Sequence, residues 1–502
     1  MAFPYQSSLA VHDIPVCESS AFHADICSHV AQGWQLVCLC GMPQAVVHPQ
    51  APGIGLLAVL AHDATGMIHA LRTPPLKVYP SLTPACPQAH LFEREIYEQW
   101  GILPEGHPWL KPLRYSPPLG ATPAGWQRPL PGVTEQFTVQ GAEVHEVAVG
   151  PVHAGVIEPG HFRFQCYGEN VMHLEISLGF QHRGIEKQLI GGPDARTVYM
   201  MECVAGDSTI AHTSALCLLL ENLTRRPATT RGQALRRVAL ELERLANHTG
   251  DMGAMAGDVG FLPTMSWCGR IRGDFLNMTA LLCGNRFGRG LVRRGGTALD
   301  VDKTLLGTLL PSLQAAYRDV CGATDTMFAA SSVLDRFEGT GIVSASNALA
   351  LGMVGVPARA SGLLRDARAF YPYDGQPLAK KHIRTCHTGD VYARARVRRD
   401  EVDDAVNLIL EELKRLPAGP ACHDEITSLP PQRLALSFVE GWRGTVCHVG
   451  VTNADSVFAV YKIIDPSYHN WMGLALALRD EQISDFPLCN KSFNLSYCGH
   501  DL

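Results

Sequence analysis

Alternating apolar residues predict β-strands in two parts of the chain. Residues 162–167 and 171–176 alternate on either side of the polar turn 168–170, a pattern typical of a β-hairpin. Three more apolar runs predict strands nearer the N-terminus, at residues 34–40, 55–60 and 67–71. We therefore expect strands in the first hundred residues and again in the middle of the chain.

A helical period follows the first group of strands. Residues 89–101 carry an apolar residue at every fourth position, namely Phe92, Ile96 and Trp100. This spacing predicts an amphipathic helix that ends at Gly101. Glu93 and Glu95 fall on its other faces, where we expect solvent.

Helical patterns dominate the rest of the chain. A nearly uninterrupted apolar run at residues 210–220 predicts a buried helix, with Asp207 and Ser208 at its N-cap. Thr230 and Gln233 form a capping box ahead of an amphipathic helix, whose interleaved charged residues are Arg236, Arg237, Glu241, Glu243 and Arg244. Further helices are predicted at 271–282, at 305–317 and at 401–416, the last capped by Asp400.

Composition limits the class of protein. The chain has 502 residues, of which 46% are hydrophobic and 18% charged, with a net charge of −6, so nucleic acid is not an expected partner. We expect neither a signal peptide nor a membrane span, because no window offers the roughly 20 apolar residues a span needs. Proline and glycine crowd residues 112–140, which predicts a linker between domains at 1–111 and 141–502.

Sixteen cysteines raise the question of disulfides or metal. Without an export signal we expect reduced thiols. No C-x-x-C pair occurs, and the four-thiolate spacing of an iron–sulfur cluster is missing. We therefore expect this chain to hold no cluster of its own.

Several motifs occur in an order that points to a known family. They are HRGIEK at 182–187, GNRF at 284–287, GDVYAR at 389–394, and FEREIYEQWGI with GHPWL between 92 and 110. The first three resemble the large subunit of energy-converting [NiFe] hydrogenases and the related 49-kDa-type subunit of complex I. The last resembles the 30-kDa-type subunit of complex I, and a fusion of the two is the arrangement of the formate-hydrogenlyase type.

That resemblance implies an α+β fold, with an N-terminal α/β domain followed by a mainly helical domain that has a small β element. It also implies that Glu93 and Glu95 could belong to a docking surface for another subunit. In the hydrogenases four cysteines hold nickel and iron. The matching positions here are Ala205, Ser208, Ser467 and Asn470. Because such metals need soft thiolates, we expect no metal and a metal-free, hydrogenase-related subunit.

The resemblance also suggests which residues line the altered pocket. The candidate coupling or quinone-site residues are His161, Arg183, Glu186, Asp207 and His212, with Asp465 and His469 as further lining. We expect Arg183 to pair with Glu186 or Asp207. Three interpretations remain open: a proton or conformational relay in which His182 or His212 titrates, a satisfied polar plug, and a site for a hard or imidazole-preferring metal.

By resemblance, the chain is a peripheral subunit of a membrane-bound, complex I-like oxidoreductase on the cytoplasmic side of the inner membrane. Its implied partners are a small subunit carrying a [4Fe–4S] cluster and antiporter-like membrane subunits. Its implied role is to help couple electron transfer to ion translocation. Two alternatives stay open, a quinone-site subunit in which His161 contacts quinone and a structural scaffold without redox chemistry.

Overall fold

The computed structural model describes residues 2–48, 50–120, 127–155, 157–372, 377–423 and 428–502. Residues 121–126 of the predicted linker lie outside this description, and the division into domains at 1–111 and 141–502 stays a prediction. Among the described residues, no helix combines the length and the apolarity that crossing a bilayer requires.

An antiparallel sheet and two helices form the N-terminal unit. Its elements are β1 (Ala2–Pro4), β2 (Leu9–Ala10), α1 (Ser19–Ala31), β3 (Gln35–Pro43), β4 (Ile54–His62), β5 (Met67–Arg72), β6 (Val78–Pro80), α2 (His90–Trp100) and β7 (Leu103–Glu105). The sheet has the order β1-β5-β4-β3, and β6 pairs with β7. All three predicted strands and the helix are confirmed, and Gly101 ends α2 with a φ of 66°.

The predicted solvent exposure of Glu93 and Glu95 is wrong, because both side chains are buried. Glu93 accepts hydrogen bonds from the hydroxyls of Ser81 and Thr83, each at 2.6 Å. Glu95 forms ion pairs with Arg114 and Lys462. Neither carboxylate is therefore available as an external docking surface.

The predicted hairpin is confirmed within a three-stranded sheet of order β10-β9-β8. The strands are β8 (Val144–Val149), β9 (His161–Tyr167) and β10 (Asn170–Ser177). Leu174 lies opposite Phe164 in the antiparallel register, and both side chains are buried. His161, a candidate site residue, is the first residue of β9.

Long helices build the bundle of the C-terminal unit. These are α5 (Thr209–Thr224), α6 (Thr230–Asp258), α7 (Leu262–Cys283), α8 (Lys303–Ala329) and α13 (Val391–Lys414). The shorter helices are α3 (Ile185–Leu189), α4 (Thr197–Met201), α9 (Ser331–Phe337), α10 (Ala345–Ala350), α11 (Gly355–Ala360), α12 (Ala367–Phe370), α14 (Pro466–Ala477), α15 (Phe486–Phe493) and α16 (Tyr497–Asp501).

Two predicted helix starts are wrong. The N-cap of α6 is Thr229, whose hydroxyl accepts the backbone N–H of Gly232, and not Thr230. Helix α13 begins after Asp390, whose side chain caps it, so Asp400 lies inside the helix.

A second four-stranded sheet combines strands from near the two ends of the chain. Its strands β13 (Arg433–Gly441), β14 (Gly444–Thr452) and β15 (Phe458–Ile464) follow the short pair β11 (Val292–Arg293) and β12 (Gly296–Thr297). The sheet order is β15-β14-β13-β2, with Leu9 opposite Leu434. One apolar core includes side chains of both the N-terminal sheet and these strands, so the units pack as one body. The α+β prediction is confirmed.

Candidate functional site

The four positions predicted by resemblance to match the hydrogenase cysteines are all buried in the interior. Ala205 and Ser208 precede α5, whereas Ser467 and Asn470 lie in the first turns of α14. All four are at most 4% exposed. The hydroxyl of Ser467 accepts the backbone N–H of Ser496 at 2.8 Å. This pocket is therefore a packed part of the core.

The residues at these positions do not fit a nickel–iron pair. Ala205 offers no donor atom, and the side-chain amide of Asn470 is engaged with the backbone N–H and C=O of Val354, at 3.1 and 3.0 Å. The nearby thiol of Cys498 is half-buried, and burial raises its pKa to about 12. Soft thiolates are thus missing where such metals would need them.

A partly exposed ion pair covers one side of the pocket. The turn between β13 and β14 carries Arg443, whose guanidinium donates two hydrogen bonds to Asp207 at 2.6 and 2.7 Å. Burial raises the pKa of Asp207, but the charge and hydrogen bonds of Arg443 outweigh burial and lower it. Arg443 also lies 3.9 Å from the ring centroid of Trp442. The predicted pairing of Arg183 with Asp207 is wrong.

Four buried titratable side chains form a continuous chain beside this pair. His212 Nε2 lies 3.1 Å from Asp465 Oδ2, and His212 Nδ1 lies 3.2 Å from His448 Nε2. On the far side, His448 Nδ1 lies 2.9 Å from the hydroxyl of Tyr461. None of the four side chains is more than 2% exposed. Each link is short enough for a proton to pass between neighbouring groups.

The row of four buried side chains carries its negative charge at one end, on Asp465. Burial raises the pKa of Asp465, but hydrogen bonding to His212 together with the nearby charges lowers it below its usual value. Asp465 also accepts the backbone N–H of Ser467 and so caps α14. Burial, reinforced by His212, holds the pKa of His448 well below its usual value. The arrangement thus places a carboxylate at one end and a neutral imidazole in the middle.

Glu186 belongs to a different cluster from the other predicted site residues. Its carboxylate accepts a hydrogen bond from Lys462 at 2.7 Å and the backbone N–H of Ile463 at 2.9 Å. Lys462 also contacts Glu95 at 2.7 Å. The predicted pairing of Arg183 with Glu186 is therefore wrong as well.

Arg183 and His161 lie outside the buried chain. The guanidinium of Arg183 donates to the backbone carbonyls of Cys203, Val204 and Cys498, at 2.5 to 2.9 Å. It thereby ties the segment before α5 to the C-terminal segment. Within the described structure, no hydrogen bond connects the side chain of His161 with the buried row Asp465–His212–His448–Tyr461. Burial lowers the pKa of His161. Quinone contact by His161 stays a prediction.

Two other histidines considered from the sequence also lie apart. His182 Nδ1 is 2.7 Å from the backbone carbonyl of Asp501. His469 is buried near Phe92, and burial lowers its pKa to about 3. Of the two histidines proposed to titrate, only His212 joins the chain.

The sequence interpretation assigned no role to four residues of the site. His448 and Tyr461 lie on strands that the sequence pattern did not predict. By resemblance, residues 440–444 were expected to form a tight loop beside the site, but no partner was predicted for Arg443 in that loop. Glu243 extends from α6 to accept the backbone N–H groups of Ile210 and Ala211, at 2.7 and 3.3 Å. It takes the place of a side-chain cap by Ser208, which the structure lacks. In the sequence, Glu243 looks like any other polar residue of an amphipathic helix, so nothing there indicated this role.

Comparisons with known proteins connect this geometry to a family. Residues 258–437 match the family described as respiratory-chain NADH dehydrogenase, 49 Kd subunit. Residues 24–131 match the corresponding 30 Kd subunit. Formate hydrogenlyase subunit 5 of Escherichia coli (strain K12) is 31% identical over 436 residues, which cover 84% of this chain and 76% of that protein.

Two further relatives extend the comparison. Hydrogenase-4 component G of the same organism is 28% identical over 447 residues, covering 86% of this chain and 77% of that protein. NADH-quinone oxidoreductase subunit 4 of Thermus thermophilus is 26% identical over 384 residues, 71% of this chain and 94% of that protein. The chain therefore belongs to the family that fuses the 30-kDa and 49-kDa subunits of respiratory-chain NADH dehydrogenase, together with formate hydrogenlyase subunit 5 and hydrogenase-4 component G.

Proposed function

We propose that this chain is a subunit of a membrane-bound, complex I-like oxidoreductase and is not itself a hydrogenase. The observation that carries the proposal is the set of buried residues at the four thiolate positions, all engaged in packing or in hydrogen bonds to protein. Family membership supports the remainder: a peripheral position on the cytoplasmic side, a small subunit with a [4Fe–4S] cluster, and antiporter-like membrane subunits. The chain helps couple electron transfer in that cluster to ion translocation.

The coupling element in this proposal is the buried chain Asp465–His212–His448–Tyr461. If a cluster in the partner subunit gained an electron, the added negative charge would favour protonation of adjacent groups such as Asp465. The Asp465 carboxylate accepts the proton of His212 Nε2, and His212 Nδ1 takes the proton of His448 Nε2. His448 Nδ1 then takes the proton of the Tyr461 hydroxyl, which regains a proton from solvent. The Asp207–Arg443 pair, which interacts electrostatically with Asp465, responds to each change of charge.

Substitution of the terminal hydroxyl tests the relay with little change in volume. We expect Tyr461→Phe to lower the number of ions translocated per electron pair at least about twofold, because the terminal proton donor of the row is lost. Electron transfer to an artificial acceptor should continue. The measurement is ion uptake into vesicles carrying the whole complex, normalised to electron flux.

His212→Gln is the second variant, and His69→Gln is the matched control. His69 is also buried and paired with a carboxylate, Asp25 at 2.7 Å, but lies in the N-terminal sheet. The relay predicts a lower ion-to-electron ratio for His212→Gln and an unchanged ratio for His69→Gln. If the protein is a scaffold without coupling chemistry, both variants should have lower thermal stability and an unchanged ion-to-electron ratio. An unchanged ratio in His212→Gln would refute the relay.

A further inference from the structure

A cavity of about 510 Å³ is lined by residues of both the N-terminal and the C-terminal units. Helix α2, residues 108–115, β10 and α14 all contribute to its lining. Its volume falls within the roughly 300–1,000 Å³ typical of small-molecule sites. None of Asp207, His212 and Asp465 contributes to its lining.

The lining is mostly apolar. The side chains of Trp109, Phe137 and Trp471 contribute to the lining, as do Leu91, Leu174 and Ile176. Rings and aliphatic groups in the lining favour an apolar occupant, since burying apolar surface stabilises binding by about 25 cal/mol per Å². Water alone would be a poor occupant of such walls.

The charged groups of the lining leave one positive charge without a partner. Lys111 is paired with Glu175, the lone carboxylate among the described lining residues. Arg94 donates to the backbone carbonyls of Lys111 and Pro112, at 2.9 and 2.7 Å. Arg479 is exposed, and within the described residues its guanidinium makes neither a hydrogen bond nor an ion pair.

We propose that this cavity binds an amphipathic anion, with its apolar body between Trp109, Phe137 and Trp471 and its carboxylate or phosphate on Arg479. A guanidinium favours both of these anions because its fork matches their oxygens. His173, which also lines the cavity and has its ring 4.6 Å from that of Phe137, can add a hydrogen bond. A cavity of this volume holds one acyl chain. A free fatty acid and a single-chain phospholipid are therefore the two possible sources of the amphipathic anion. This inference is independent of the proposed coupling role.

Titration of the purified full-length chain with dodecanoate, below its critical micelle concentration, tests the site. We expect saturable quenching or enhancement of tryptophan fluorescence from Trp109 and Trp471, confirmed by calorimetry. Dodecanol has the same chain without the charge and should bind at least about tenfold more weakly, a difference of about 1.4 kcal/mol. Dodecyl phosphocholine and dodecyl phosphate serve as probes for the phospholipid arm.

Two variants and one control define the site. Arg479→Gln should weaken dodecanoate at least about tenfold while leaving dodecanol unchanged, and Met472→Trp should fill the cavity and weaken both. Arg270→Gln removes an exposed arginine that pairs with Asp274 and Asp319 elsewhere, and it should change neither. Equal binding of dodecanoate and dodecanol, or of dodecanoate to wild type and Arg479→Gln, would overturn the proposal.

The native occupant is identified by solvent extraction and mass spectrometry of the intact complex. Recovery of a fatty acid or of a lysophospholipid, lost in Met472→Trp, would support the site and separate the two sources. If dodecanoate binds the isolated chain but is excluded from the complex, a partner subunit covers the cavity and the proposal fails.

Discussion

Glu243 occupies the position that a capping side chain normally takes at the start of a helix. Its carboxylate reaches the first N–H groups of α5 from a neighbouring helix, close to Asp207. Burial is the main cause that raises the pKa of Glu243 to about 8, and the charge of Asp207 adds to it. A carboxyl that ionises near neutral pH thus lies at the edge of the candidate site.

This shift predicts how stability depends on pH. Between the ordinary carboxyl pKa of 4.5 and about 8, the folded state holds a proton that the unfolded state has released. The free energy of unfolding therefore falls as pH rises through this window, by at most about 1.4 kcal/mol per pH unit for this proton. We expect Glu243→Gln to remove that part of the slope in urea unfolding between about pH 5 and pH 8. Parallel slopes for the two proteins would contradict it.

The absence of thiolates could be predicted from the sequence because it depends only on which residues stand at four positions. The ion pairs of the candidate site could not be predicted in the same way. Arg443, which holds Asp207, is more than two hundred residues away along the chain, and several arginines compete for the same few carboxylates. Choosing among them requires the position of the β13–β14 turn relative to Asp207, which a resemblance in sequence does not give.

Burial on more than one face, and burial of charged residues, explain which elements the sequence pattern did not predict. Strands β13 and β14 are buried along almost their full length, so they lack the alternation that marks a half-exposed strand. The first turns of α13 look polar in sequence, yet Arg394 and Arg398 are buried there. Their charges conceal the apolar face, which moved the predicted start of this helix to Asp400. Elements with one apolar face, such as α2 and the β9–β10 hairpin, were predicted correctly.

Strand β15 is linked to the N-terminal unit by a buried charge network. Lys462 on β15 contacts Glu95 of α2 and Glu186 of α3, and Arg114 pairs with Glu95. We expect Lys462→Met to lower the free energy of unfolding by about 3–5 kcal/mol, because it leaves buried carboxylates under-compensated. Urea unfolding at neutral pH measures this.

The control for that prediction is Arg270→Met, which breaks an exposed pair and should cost less than about 1 kcal/mol. Adding Glu186→Gln to Lys462→Met should recover part of the loss, since one uncompensated charge is removed. A loss below about 1 kcal/mol for Lys462→Met would show that the network contributes no more than an exposed pair does.

The two ends of the chain meet in one sheet, and this sets the architecture of the whole molecule. Leu9 and Ala10 pair with Leu434 and Arg433, more than 420 residues later. Sequence patterns predicted the α+β class and an N-terminal unit, because both depend on local periodicity and on motifs. They did not predict that the units share a core, because contacts so distant in sequence leave no local pattern. The cavity lined by both units is a product of that packing.

We propose that a hydrogenase-related scaffold has here replaced metal binding by buried polar packing. Metal analysis of the intact complex, purified from membranes through a tag on this chain, tests this replacement most directly. We expect iron from the partner small subunit, nickel far below one atom per chain, and no H₂ uptake. Stoichiometric nickel, or H₂ uptake that is lost when Ser467 or Asn470 is substituted, would contradict it.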